Sequence, residues 1–189
     1  MRRKLHKVKF AKECPQLQYT HGAIWSIIAN CMLNRNEIAA EYFLILNPIE
    51  HARTKEDAMK YKSEPYVIVA DIYSHPNLLG RGGWSWYTGS ASWYFIAGVK
   101  YILGLEKKGD YLEINPQIPK DWKNCYINYR IENTEYTISI QQSEEKNNEK
   151  TNLEYKPNKK VIYLDNELVN ENKIPIKLDG KKHKIDIKF

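Results

Sequence analysis

Residues 86–119 read WYTGSASWYFIAGVKYILGLEKKGDYLEINPQIP, and the apolar period changes inside this stretch. Trp86, Ser90, Trp93 and Ala97 recur at helical spacing, and Gly104 suits a helix stop. After Leu105 the apolar residues alternate with polar ones, as in YLEI, which is the period of a half-buried strand. The chain therefore reads as α+β, helical before the change and β after it. The boundary is placed near 106–110.

Working back toward the N-terminus, HGAIWSIIANCML puts Ile24, Ile27, Ile28 and Cys31 on one stripe, a helix with a buried face. A second helix fits 37–46, with Asn36 as its N-cap and Pro48 marking its end. The short polar link makes the two an antiparallel hairpin. Thr54 followed by Asp57 resembles a capping box and predicts a short third helix. EPYVIVADIY fits strand or helix, and period alone does not decide it. Working toward the C-terminus, NCYINYRI, EYTISIQQ, KVIYLD and HKIDIKF alternate at period two. Asn133–Thr134 reads as a hairpin turn, and LDNEL and LDGKKH as further turns. The simplest assembly is an antiparallel, sandwich-like module. SEEKNNEKTN is a polar excursion between strands.

Composition narrows the function classes. The net charge of +6 is spread along the chain, which reads as a solvated surface and gives no reason to expect a nucleic-acid partner. No segment reaches the roughly 18 apolar residues of a membrane span. The basic start MRRKLHKVKF lacks the apolar run of a secretory signal. Cys14, Cys31 and Cys125 have no metal-ligand spacing and read as reduced thiols in a cytoplasmic protein, with no metal and no cofactor expected.

The residues able to do chemistry gather between Gly80 and Phe95, where three of the five Trp lie among glycines and small hydroxyls. Thr88-Gly89-Ser90 falls at a predicted helix start, where unpaired N–H groups and the helix dipole favour an anion. Trp84, Trp86, Tyr87 and Trp93 offer faces for stacking against sugar. The same residues also fit a Gly-rich turn feeding an aromatic core helix. His21, just ahead of an apolar helix, can donate to an oxyanion or serve only as a cap. Glu64 and Asp71, taken alone, read as surface charges.

Together, QYTHGAIW, LNPIEHARTKEDAMKYKSEPYVIVADIYSHP, GRGGWSWYTGSASWYFIAGVKYILGL and LEINPQIPKDW resemble the C-terminal part of the glycoside phosphorylases of family 94, formerly glycosyltransferase family 36. Within that family the resemblance is to the branch of cyclic β-1,2-glucan synthases and 1,2-β-oligoglucan phosphorylases. It is dense from Gln18 to Trp122 and diffuse beyond. It implies that 18–105 are the last helices of an incomplete (α/α)6 barrel, that 106–189 are a C-terminal β domain, and that 1–17 form a divergent segment. The implied chemistry is inverting phosphorolysis of a β-glucan oligosaccharide, with inorganic phosphate as co-substrate. By motif, His21, Thr88 and Gly89 would bind phosphate, and Gln18, Tyr19, Glu64 and Trp86 would line the sugar positions.

The resemblance also has gaps. The family's general-acid Asp and a phosphate-binding Arg belong to segments well upstream of QYTHG. Only twenty residues precede His21, and Glu13 is their one acidic residue. The approach reads KECPQLQYTHG where relatives carry Glu-Asn-Gly-Gly. The expectation is a chain with no catalytic residue of its own, inactive unless joined by an upstream half of the enzyme. A non-catalytic carbohydrate-binding or structural module is the competing expectation.

Overall fold

A computed structural model of the protein describes residues 19–142, 160–169 and 171–189. Cys14 and Gln18 lie outside the described residues. The fold is α+β, and it divides into two compact units between Leu103 and Gly104.

In the first unit, α1 spans Thr20–Met32 and buries Ala23, Ile24, Ile27, Ile28 and Cys31, the stripe that the three-and-four spacing specifies. Burial pushes the Cys31 thiol up to about 11, which keeps it a core residue with no thiolate. α2 spans Asn36–Leu46 and packs on α1. Its cap position is Arg35, with no side-chain cap, so Asn36 is the first helical residue and not the N-cap. The cause is the turn out of α1. Asn34 adopts a left-handed φ of 57°, and the Arg35 N–H returns to the Asn30 carbonyl, starting the next helix one residue early. α3, Lys55–Tyr61, is capped as expected, Thr54 Oγ1 accepting the Asp57 N–H at 3.1 Å.

α4 spans Thr88–Ile96 and widens into a π turn over Ala97–Ile102. Ser90 and Ala97 face inward, whereas Trp93, at the same helical spacing, is exposed. Trp86 does not belong to the helix: it precedes it at a left-handed φ of 58°. Tyr94 holds α4 against α2, its ring stacked on Phe43 at 4.2 Å and its hydroxyl donating to the Phe43 carbonyl at 2.8 Å. Tyr94→Phe keeps the stack and loses the bond. The expected cost is about 1 kcal/mol, read as a lower urea midpoint at unchanged slope.

The residues of EPYVIVADIY are neither helix nor long strand. Val67, Ile68 and Val69 are all buried, and the backbone is tied outward in several directions. Ile68 O accepts from Tyr87 N, Ala70 O from Thr20 N, and Asp71 O from Gly83 N. Such a segment has no clean period, because three successive residues, Val67 to Val69, are buried while Tyr66 and Tyr73 on either side are exposed.

In the second unit, β1 (Leu105–Lys108), β2 (Tyr111–Ile114) and β7 (Lys173–Pro175) form an antiparallel sheet in the order β1-β2-β7. A second sheet has the order β3-β4-β8-β5-β6, from β3 (Asn124–Ile131), β4 (Thr134–Gln141), β5 (Val161–Leu164), β6 (Glu167–Val169) and β8 (Lys182–Lys188). Here the all-antiparallel expectation fails. β8 enters between β4 and β5 and runs parallel to β4, pairing Ile138 with Ile185 and Ile140 with Ile187. Alternation identifies a strand but carries no information on which neighbour it takes. The β3–β4 turn is also one residue earlier than expected. Ile131 pairs with Thr134, so Glu132 and Asn133 make the turn, with Glu132 at φ 54°. Leu112, Ile114 and Ile174 are fully buried in the first sheet, as are Ile138, Ile140, Ile185 and Ile187 in the second.

Candidate functional site

The site begins at the first turn of α4. The first intrahelical bond is Ala91 N to Tyr87 O at 3.1 Å, so the N–H groups of Thr88, Gly89 and Ser90 precede the helix's own hydrogen bonding. Tyr87, at the cap position, offers no side-chain cap, and Thr88 and Gly89 are exposed. Such an end carries partial positive charge and accepts an anion.

His21 lies beside it. A Cβ placed on Gly89 would come 3.8 Å from His21 Cε1. Two sequence-predicted residues far apart in the chain are thus neighbours in space. The imidazole sits among aromatic rings. Tyr19 lies nearly parallel to it at 6.1 Å, Trp25 is edge-on at 5.1 Å, and Tyr87 and Trp93 are at 6.4 and 6.3 Å. Among the described residues neither ring nitrogen has a hydrogen-bond partner. The Tyr19 and Tyr87 hydroxyls bond to each other at 2.9 Å, which pushes the Tyr19 phenol up from its ordinary value and keeps it protonated.

Trp86 and Glu64 form a second pair. The Trp86 indole N–H donates to Glu64 Oε1 at 3.1 Å, and Ser63 donates to Oε2 at 3.2 Å. Its own backbone N–H first, then Trp86, hold the Glu64 carboxyl below the usual carboxylate range; Ser63 and Ser85 add to this and burial opposes it. Glu64 is therefore ionised at neutral pH and half-buried, not a free surface charge. Beside it Tyr66 meets Trp86 edge-on at 6.2 Å, and the two rings are 73% and 60% exposed, open to a flat ligand. Asp71 is also half-buried. It bridges Tyr19 through the backbone, and its carboxylate lies so close to Gly83 that a Cβ there would be 2.2 Å from Oδ1. A side chain at 83 would therefore displace the Asp71 carboxylate from this position.

The structure brings His21, Thr88, Gly89 and Tyr19 together, and pairs Glu64 with Trp86. Trp25 escaped the sequence reading, although His21 and Trp25 stand one helical turn apart at i, i+4. The Thr20 hydroxyl also escaped it; like that of Ser90, which the helix-start motif does include, it is buried and without a partner among the described residues. Among the described residues no group of three or more His, Cys, Asp or Glu is placed to hold a metal. No described helix is long and apolar enough to cross a membrane.

The family model described as "Glycosyl hydrolase 94 superfamily, catalytic domain" matches residues 9–104. Cyclic beta-(1,2)-glucan synthase NdvB of Rhizobium meliloti (strain 1021) is 47% identical over 65% of this chain and 4% of its own length. Solabiose phosphorylase of Paenibacillus borealis is 29% identical over 89% of this chain and 21% of its own length. N,N'-diacetylchitobiose phosphorylase of Vibrio furnissii is 29% identical over 65% of the chain and 15% of its own length. The chain thus spans about a fifth of these relatives or less.

Proposed function

The chain belongs to the glycosyl hydrolase 94 superfamily, and on that premise we propose that it carries the phosphate-binding corner of an inverting β-glucan phosphorylase, β-1,2-linked glucan being the substrate. The support is the meeting of His21 with Gly89 at an unpaired helix start. Phosphate sits between the imidazole, the Thr88 hydroxyl and the N–H groups of Thr88 and Gly89. A dianion needs no general base. It needs donors that offset its charge and aim one oxygen at the anomeric carbon. Glu64, held ionised, accepts hydrogen bonds from sugar hydroxyls, and Trp86 stacks on a ring face, with Gln18 and Tyr19 lining the adjoining sugar. The phosphate is a co-substrate, and no other cofactor is invoked.

The general-acid Asp that protonates the leaving oxygen comes from a segment upstream of the matched stretch. α1–α4 act as the closing helices of an (α/α)6 barrel, and this chain alone does not turn over substrate. Exposed Trp25, Met32 and Phe95 on these helices suit the partner surface that such an arrangement requires.

Thermal stabilisation by millimolar phosphate tests the pocket. His21→Ala and Thr88→Val are expected to lose it. Gly89→Ala is the sharper probe, since its methyl makes ordinary contact with His21 and leaves the fold intact but occupies the anion's place. At least about tenfold weaker phosphate binding, with an unchanged melting temperature in phosphate-free buffer, is the expected result. Robust release of glucose 1-phosphate from β-1,2-glucan by the isolated chain would overturn the upstream placement of the acid.

A second reading, a sugar-binding module without phosphate chemistry, is favoured by the exposure of Trp84, Trp86 and Tyr66. It predicts stabilisation by gluco-oligosaccharides with no response to phosphate or sulfate.

A further inference from the structure

A histidine that binds a ligand is usually turned to it by a hydrogen bond on its far nitrogen. His21 has none among the described residues. Among the described residues its orientation falls to the rings around it, and the one hydroxyl–hydroxyl bond in that set is Tyr19 to Tyr87. We propose that Tyr87 is a positioning residue of the anion pocket: its hydroxyl fixes the Tyr19 ring, and that ring holds the His21 imidazole toward the first turn of α4. The proposal rests on the phosphate reading given above and adds to it a residue that the reading does not use.

Tyr87 is placed for this by its backbone. Its N–H donates to Ile68 O at 2.9 Å and its carbonyl accepts the opening bond of α4, so its Cα is tied at both ends to the pocket's frame. Tyr19 is tied on its own side, bridging Asp71, while the next N–H, of Thr20, donates to Ala70 O at 2.8 Å. The hydroxyl bond joins these two fixed backbones across the imidazole. The Tyr87 ring stands at 75° to His21, and the Trp25 ring at 73°, so each presents an edge contact to the imidazole. The neighbour on the α4 side is Gly89, whose Cβ position lies 3.8 Å from His21 Cε1.

The test is Tyr87→Phe in the full chain, which keeps the edge contact and removes only the bond. Two readings are taken by NMR: the phosphate titration of the Thr88 and Gly89 amides, and the His21 Cε1–H signal. A three- to tenfold loss of phosphate affinity is expected, with a shifted or broadened His21 signal and little change in melting temperature, because the hydroxyl pair is exposed. Tyr19→Phe should match it, and the double variant should be no worse than either single one, since all three lose the same bond. Wild-type affinity with an unmoved His21 signal, or additive losses in the double variant, overturns the proposal. If the unaltered chain ignores phosphate, the phosphate reading fails by itself. The His21 signal then decides alone: a shift in Tyr87→Phe sustains the positioning role, and no shift ends it.

Discussion

Gly104→Ala should cost the β unit at least about 3 kcal/mol, and Gly109→Ala only about 1 kcal/mol. Both glycines have left-handed backbone, φ 71° and 59°, so both substitutions carry the same conformational strain. They differ in what the methyl meets. At Gly104 a Cβ would fall 2.1 Å from the carbonyl carbon and oxygen of Asn115 and 2.6 Å from Pro116 N, while at Gly109 nothing lies within 4 Å. The obstacle at 104 is backbone, and it cannot swing away. It is also the backbone whose Asn115 N–H donates to Gly104 O at 2.9 Å, so relief of the clash breaks that bond. Denaturant unfolding of the two variants side by side separates clash from strain. Equal losses would show that the close approach at 104 is unimportant.

The second large effect is a pH dependence centred on His183. This nearly buried ring bonds through Nδ1 to Asp165 Oδ2 at 2.7 Å and through Nε2 to Asp179 Oδ1 at 3.0 Å, with Tyr136 stacked on its face. Both nitrogens meet carboxylates, so the imidazolium is the form that the fold prefers. Asp165, then Asp179, push the pKa of His183 up, against its burial. At Asp165 burial acts to raise the pKa, but the Lys184 N–H, His183 and Lys177 outweigh it and bring the carboxyl to about 2. Asp179 is lowered chiefly by His183, with Lys181 nearby.

The signs follow from linkage. A raised His contributes fully below its ordinary value of about 6.5 and loses the contribution as pH climbs through the raised one. The lowered carboxylates contribute above about 4 and lose it as pH falls toward 2. The cluster is therefore strongest between about pH 4 and 6.5. His183→Gln should remove about 2 kcal/mol in that window and flatten the decline above it, measured as unfolding free energy across pH. A variant profile parallel to that of the unaltered chain would exclude the cluster as its source.

Some of this was legible in the residues and some was not, for physical reasons. Ile24, Ile27, Ile28 and Cys31 announce α1 because a helix buries every third and fourth residue. Thr54 announces α3 because an oxygen three residues ahead of a free N–H caps it, and the Asp165–Asn166 turn shows as a polar pair between strands. The parallel pairing of β4 with β8 is invisible, because a strand's period does not depend on its partner. Trp86 misled for the opposite reason: it has helical spacing to Ser90, yet its indole goes to Glu64 and its backbone turns left-handed before the helix begins. At the site, the helix start at Thr88 could be read from local pattern alone. The neighbourhood of His21 and Gly89 could not, since nothing local links residues so distant, and it entered only through the resemblance.

The insertion of β8 between β4 and β5 has a consequence for how the β unit assembles. The β3–β4 and β5–β6 hairpins close locally and quickly, but two-stranded ribbons in isolation are marginal. Neither becomes durable until a distant segment slides between them and zips to both. The slow event in folding is thus the capture of that segment, a long loop closure late in the pathway. Until then each ribbon presents a bare margin to any other chain nearby, and crowded synthesis rather than weak packing would be the hazard for this unit.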